Sequence, residues 1–275
     1  MLSGRRDNSN SAAEQDKFVS ELSDARMRID SLQNELVAHK RTAEAAAKEL
    51  DALTYGISHD LRAPLRAIEG FARILEEDFA PTLGDEGQGH ILIIREAAQK
   101  LDRHIEGMLA LSRVGQHSIV LNDVDMTATA RRAAEEVCRA RKINPDALTF
   151  AELPDTRGDK ILLQQVWSQL LDNAVKFSMS ARTPHIEISG ETMEDSCLYR
   201  IQDNGAGFDM RYVSRLFSVF QRLHAEKEFP GAGVGLAIVH RIVKRHGGRV
   251  WAEAERDKGA CFTFELPRDG GQRSV

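Results

Sequence analysis

His59 and Asp60 stand side by side in the run Ile57-Ser58-His59-Asp60-Leu61-Arg62-Ala63-Pro64-Leu65. An imidazole in water is mostly uncharged at neutral pH, so one ring nitrogen keeps a lone pair for in-line attack while the other holds a proton. Asp60 is placed to hold or accept that proton. Such a pair on a helix surface, with no glycine cradle around it, suits a group that accepts a phosphoryl from a donor bound elsewhere. Arg62 can contact the transferring phosphoryl or pair with an acid.

A second constellation lies far downstream. Gln169, Asn173 and Lys176 recur at helical spacing in the segment 161 to 178 and therefore share a face. Amide oxygens are hard ligands suited to Mg²⁺, and a nearby lysine can neutralise phosphate charge. Asp203-Asn204-Gly205-Ala206-Gly207 then ends an expected strand. A buried carboxylate there could accept a hydrogen bond from an exocyclic amine, with Gly205 and Gly207 letting a base approach the backbone; the same glycines would also permit a tight turn. The third element is Gly231-Ala232-Gly233-Val234-Gly235-Leu236, a glycine loop opening an amphipathic helix whose free amides and dipole can hold phosphates. It is neither a dinucleotide fingerprint, since no strand leads directly into it, nor a P-loop, since the Lys-Ser/Thr pair is missing. Polar residues 221 to 230 would cover the site as a mobile lid.

The elements that must position these residues follow from periodicity. From Phe18 the seam runs Leu22, Ala25, Ile29, Leu32, Leu36, His39, Ala43, Ala46, Leu50, Leu53 and Ile57, alternating steps of four and three for more than five heptads. This pattern predicts a two-stranded parallel coiled coil over residues 14–56. His59 falls two residues beyond Ile57, at an outward position. The inward set then becomes Leu61, Leu65, Ile68, Ala72 and Leu75, a stutter in the heptad beside His59, and Pro64 removes one helix hydrogen bond. Turn formers cluster from Phe79 to Gly89, and a second helix follows with Ile91, Ile94, Ala98, Leu101, Ile105, Met108 and Ser112 inward. Residues 57–115 are thus a helical hairpin with a half-covered stripe, which pairing of two copies into a four-helix bundle would bury. Beyond Gly115 a helix at 126 to 141, an apolar stretch at Leu148-Thr149-Phe150, the helix at 161 to 178, and strands at 185 to 189, 197 to 202, 249 to 254 and 260 to 266 predict an α/β sandwich over residues 116–268. Residues 1–13 and 269–275 are expected to be disordered.

Composition bounds the partners. The 275 residues suit about two structural units, and a net charge of -5 without a basic block argues against nucleic acid. No run approaches the ~20 apolar residues of a membrane span. The first residues lack the apolar core of a signal peptide, so a cytosolic location is expected. Cys138, Cys197 and Cys261 are few and scattered, as packing residues would be.

Taken together, these motifs resemble the dimeric sensor histidine kinases of two-component systems, in particular the phytochrome-like branch, over residues 50 to 267. His59 matches the phosphoacceptor of the H box, Asn173 the N box, Asp203 with Gly205 and Gly207 the first glycine box, Phe217 and Phe220 the F box, and Gly231, Gly233 and Gly235 the second glycine box. The resemblance implies a helical dimerisation and phosphotransfer domain followed by a Bergerat-type ATP-binding domain. It further implies ATP and Mg²⁺ as cofactors, with Asn173 binding the metal, Asp203 reading the adenine amine, and Lys176 and the second glycine loop, including Leu236, holding phosphates. The implied partners are a second copy of the chain and the receiver domain of a response regulator. No sensor is recognisable before the coiled coil, so the input is expected from a separate partner or from a domain outside this chain. Two positions depart from the family pattern. Gln169 stands where the first Asn of the N box is usual. Ala63 stands one turn after His59, where kinases that also dephosphorylate their partner commonly carry Asn or Thr to orient water. Two rival classes share parts of the pattern: a kinase-like scaffold that binds ATP without efficient transfer, which Gln169 favours, and an ATP-driven chaperone or topoisomerase-type machine, against which the His59 hairpin speaks.

Overall fold

A computed structural model describes residues 6–179, 181–223, 229 and 231–269, with side chains from Arg26 onward except residues 40, 44, 47, 48 and 51. The chain divides into two compact units, residues 1–50 and residues 51–275. The first is helical from Arg6. Residues 6–13, expected to lack fixed structure, are drawn into this helix because neither Pro nor Gly interrupts the chain between Arg6 and Tyr55. Among the described seam side chains, Ile29, Leu32, Leu36 and Leu50 are all exposed.

The second unit opens with a helical hairpin that completes α1, Arg6–Gln116. The expected break over Phe79 to Gly89 is confined to Gly84, which has φ 61° and ψ -179°. A single glycine takes this positive φ without steric cost, and so reverses the chain with no longer loop. Pro81, Gly87 and Gly89 stay helical. Ion pairs between Arg62 and Asp102 and between Arg95 and Glu76 join the two arms, and Leu65, Ala98, Ile105 and Leu109 pack between them. The inward stripe splits by heptad position. Leu65 and Ala72 on the first arm, with Ile91, Ala98, Ile105 and Ser112 on the second, are buried; Leu61, Ile68, Leu75, Ile94 and Leu101 remain exposed, and so does Ile57, expected inward, whose neighbour Ser58 is buried instead.

The remaining elements form an α/β sandwich. In chain order they are β1 (Asn122–Val124), α2 (Met126–Arg141), β2 (Leu148–Phe150), β3 (Thr156–Gly158), α3 (Lys160–Ser178), β4 (Ile186–Thr192), β5 (Ser196–Asp203), α4 (Gly235–Arg245), β6 (Arg249–Glu255) and β7 (Gly259–Pro267). A five-stranded sheet has the order β2-β4-β5-β7-β6, parallel only between β2 and β4. The short antiparallel pair β1-β3 carries no periodicity to read, being three residues long in each strand. Helices α2, α3 and α4 cover one sheet face, so alternate residues such as Tyr199, Ile201, Phe262 and Phe264 point into the core. Cys138 and Cys197 are buried thiols of that domain. No helix among the described residues is long and apolar enough to cross a membrane.

Trp167 anchors α3 to the sheet. It is fully buried, meeting the rings of Tyr199 at 5.9 Å and Phe264 at 5.2 Å edge-on, while those two rings stack at 4.8 Å. Its indole N–H has no partner among the described residues. Trp167→Ala is therefore expected to cost about 3–5 kcal/mol through the cavity it leaves. Trp167→Phe should cost much less, since it keeps a ring and removes the unbonded donor. Denaturant unfolding of both variants checks this ordering, and equal losses would contradict it.

Candidate functional site

Helix α3 presents two faces. Asp159 caps its start, accepting hydrogen bonds from the amides of Ile161 and Leu162, each at 3.1 Å. Leu163, Val166, Leu170, Leu171 and Val175 are buried with Trp167 on the core side. Gln169, Asp172, Asn173 and Lys176 point the other way, into a cavity of about 420 Å³. The helical spacing of Gln169, Asn173 and Lys176 thus does bring them onto one wall.

Asp203 reaches the same cavity from the end of β5. It is 4% exposed and accepts a hydrogen bond from the Gly205 amide at 2.9 Å. Burial pushes its carboxyl up to about 6, against the lowering effect of hydrogen bonds from the Gly205 and Ala260 amides. Gly207 lines the cavity, whereas Gly205 does not. The glycines at both positions are demanded by the protein's own backbone. A β-carbon on Gly205 would collide with the Phe177 carbonyl, and one on Gly207, at φ 56°, with the Glu255 carbonyl.

Gly231, Gly233, Gly235 and Leu236 form the opposite wall. Gly233 has φ 70° and its carbonyl accepts from the Phe220 amide at 2.9 Å, which pins the loop. Arg222 donates to the carbonyl of Gly231 at 2.6 Å and also to that of Phe229. Helix α4 starts at Gly235 without a side-chain cap, so its first amides have no capping side chain among the described residues. Gln169 reaches across to this point, close enough that a β-carbon on Gly235 would strike its side-chain oxygen. Most of the expected lid, residues 224–228 and 230, lies outside the described residues.

Lys176 is the cation at the centre of this space. Burial pushes its amine down to about 8; Asp172 pulls the other way, and the charges of Arg141 and Arg222 add to the lowering. Its Nζ lies 4.2 Å from the centroid of the Phe177 ring. Sequence reasoning did not find Arg141, Asp172 and Arg222, nor the hairpin residues Arg103, Glu106 and Gly107, all of which line the cavity. Asp172 and Arg222 adjoin recognised motifs and could have been reached from them. Arg141 and the hairpin residues come from elements whose approach only the tertiary fold creates. At Gly107 the second arm lies so near the glycine loop that a β-carbon would collide with Val234.

His59 is separate from this cavity. Its side chain is 76% exposed, and its Nδ1 faces the Asp60 carboxylate at 3.3 Å. Arg62 pairs with Asp102 at 3.9 Å. Of the F-box rings, Phe220 meets the His104 imidazole at 4.6 Å and Phe217 lies 6.0 Å from His240.

An exposed imidazole with a carboxylate at one nitrogen, on a hairpin, is followed by a cavity built from an amide-bearing helix and a glycine loop. Two family models match these two parts: the His Kinase A (phospho-acceptor) domain over residues 49–117, and the histidine kinase-, DNA gyrase B-, and HSP90-like ATPase over residues 158–270. The chain belongs to the histidine kinases. It is 34% identical over 252 residues to the methanogenesis regulatory histidine kinase FilI of Methanothrix harundinacea, covering 88% of this chain and 28% of that protein. It is 31% identical over 240 residues to cyanobacterial phytochrome A of Nostoc, covering 87% of this chain and 31% of that protein. This histidine kinase chain therefore spans under a third of the length of these relatives. Full-length ShkA, crystallised in complex with AMPPNP, superposes with a TM-score of 0.54 at 27% identity, over 78% of this chain and 45% of that one.

Proposed function

We propose that the chain binds ATP in the α3–glycine-loop cavity, transfers its γ-phosphoryl to His59, and passes the phosphoryl on to an aspartate of a response regulator. The observation that carries this reading is the pairing of an exposed His59–Asp60 dyad with a cavity combining Asn173, Lys176, Asp203 and the uncapped start of α4. ShkA's complex with AMPPNP supports an adenine nucleotide as the occupant.

Asp60 accepts a hydrogen bond from Nδ1–H of His59, which keeps the proton on that nitrogen and leaves the Nε2 lone pair free. That pair forms the N–P bond as the bond from phosphorus to the β–γ bridging oxygen breaks, and ADP leaves with the electrons. The positive charge on the ring is relieved through the Nδ1 proton shared with Asp60. In the second step the N–P bond breaks as a carboxylate oxygen attacks phosphorus, giving an acyl phosphate and neutral histidine. The uncapped amides of α4 and the Lys176 ammonium hold phosphate oxygens, and the ionised Asp203 accepts from the adenine amine. The donor set fits Mg²⁺ bound mainly through phosphates. The amide oxygen of Asn173 is a hard ligand, and the described residues hold no cluster of acids or histidines that would cage a metal alone. When bound, Mg²⁺ neutralises phosphate charge.

The split stripe of the hairpin supports a homodimer. One heptad set is buried within the hairpin, and Leu61, Ile68, Leu75, Ile94 and Leu101 are left for a second copy. The exposed Ile29, Leu32 and Leu36 support a coiled coil in the same pairing. Light scattering at micromolar concentration is expected to give a dimer. A double substitution Ile68→Glu with Leu101→Glu should give folded monomers, and a wild-type monomer would defeat the assignment.

With γ-labelled ATP, the wild type should gain an acid-labile phosphoryl, and His59→Gln should abolish it while nucleotide affinity stays within about twofold, since acceptor and donor sites are separate. Acid-labile label persisting in His59→Gln would assign the acceptor to another histidine.

Nucleotide affinity should depend on pH at two edges. Binding needs Asp203 ionised and Lys176 protonated; because their values are about 6 and about 8, affinity is highest between them, falling below about 6 as Asp203 gains a proton and above about 8 as Lys176 loses one. Calorimetry from pH 5 to 9 is expected to show adenosine losing affinity on the acid side alone, whereas ADP also loses it on the alkaline side. An alkaline loss equal for both ligands would remove Lys176 from phosphate binding.

A further inference from the structure

Asp172 presents a charge conflict within the proposed nucleotide site. It lines the same wall as Asn173 and Lys176, and it lies four residues before Lys176 on α3, at the spacing where a carboxylate and an ammonium pair most readily. A free carboxylate there would repel the phosphates of a nucleotide and draw the lysine to itself. The structure resolves this from a different helix. Arg141, the last residue of α2, donates through Nε and Nη2 to the two oxygens of Asp172, each at 2.7 Å. This parallel fork suits a guanidinium and cannot be copied by a lysine. Among the described residues Asp172 makes its ion pair with Arg141, and Lys176 makes none. The left-handed Lys142, φ 57°, closes α2 immediately after Arg141, with its amide bonded to the Cys138 carbonyl, and so fixes where the guanidinium emerges.

We propose that Arg141 is a positioning residue of the nucleotide site: by holding Asp172 in a two-pronged ion pair it leaves the Lys176 ammonium available to the phosphates of the bound nucleotide. This rests on the nucleotide reading above. Burial, Asp172, Arg141 and Arg222 all act on Lys176, and the hairpin contributes Arg103 and Glu106 to the same cavity, so the effect of Arg141 has to be isolated by charge removal at its partner.

The experiment measures dissociation constants of ADP, with Mg²⁺ present, and of adenosine for the full chain carrying Arg141→Ala, Asp172→Ala or both. Arg141→Ala is expected to weaken ADP on the order of tenfold, the middle of the range for residues sharing an ion-pair network, while adenosine is unchanged. Adding Asp172→Ala should return ADP to within about twofold of wild type, because the competing carboxylate is gone. Unchanged ADP affinity in Arg141→Ala overturns the proposal. So does an equal loss for adenosine, which would mark a merely structural role, and so does failure of the double variant to recover, which would mean that Arg141 grips the phosphates itself. Wild-type protein that binds neither ligand overturns the nucleotide reading, and the proposal with it.

Discussion

The carboxylate of Asp159 joins three parts of the molecule that must keep a fixed relation. It caps α3 through two amides, accepts from His117 Nε2 at 2.9 Å and from the Val120 amide at 3.1 Å, and so ties the chain leaving the hairpin to the start of the cavity wall. Its own amide donates to Nε2 of the buried His246 at 3.0 Å, and His246 Nδ1 donates to the Ile242 carbonyl, which adds the end of α4. Burial alone would raise this carboxyl, yet hydrogen bonds from Val120, His117 and Leu162 outweigh it and hold the group below its ordinary value. Asp159 therefore stays charged where a charge would otherwise be costly, and removing it would take the acceptor from four donors at once, the buried Leu162 amide among them. Arg245 reinforces the same junction by donating to the carbonyls of Val114 and of His117.

Anchored in this way, α3 can spend one face on the core and the other on chemistry. The core face needs only apolar bulk at helical spacing. The cavity face is under opposing demands, because a site that accepts polyphosphate must concentrate cations while staying dry enough for hydrogen bonds to matter. Burial moves the Lys176 amine down to about 8 and the Asp203 carboxyl up to about 6, so both lie within two units of neutral pH. The same dryness that makes each contact strong leaves each group close to losing its useful charge, and this is why the balance among Arg141, Asp172 and Lys176 has consequences.

Long periodic segments were legible from the chain itself. The helix at 126 to 141 and the strands at 197 to 202 and 260 to 266 match α2, β5 and β7 to within a residue or so at each end. The shared face of Gln169, Asn173 and Lys176 was legible because helical spacing is local geometry. Other features were not. Strands β1 and β3 draw their identity from pairing with each other across more than thirty residues of chain, and three residues carry no period. The turn former cluster at Phe79 to Gly89 overstated a loop that Gly84 alone makes, since Gly87 and Gly89 tolerate helix as well as turn. The glycines at 205 and 207 point to a close approach in sequence, but which atom approaches is settled by the Phe177 and Glu255 carbonyls in the fold.

Gly107 lets the second arm lie against Val234 inside the glycine loop, His104 rests on Phe220, and Arg103 and Glu106 face the cavity, while His59 is outside it with its ring open to solvent. His59 is not among the residues that line the cavity, whereas in-line attack needs the reacting atoms within about 3–3.5 Å. The proposed transfer therefore requires an imidazole, from the same chain or from its partner, to be brought to the nucleotide held by the glycine loop, on which the second arm of the hairpin lies at Gly107. Only a glycine at position 107 allows the docked arrangement without a clash, whereas nothing in the imidazole–phosphoryl geometry requires one. The docked and transferring states thus make different demands on the same helix, and the residue at 107 weighs one against the other without touching a reacting atom.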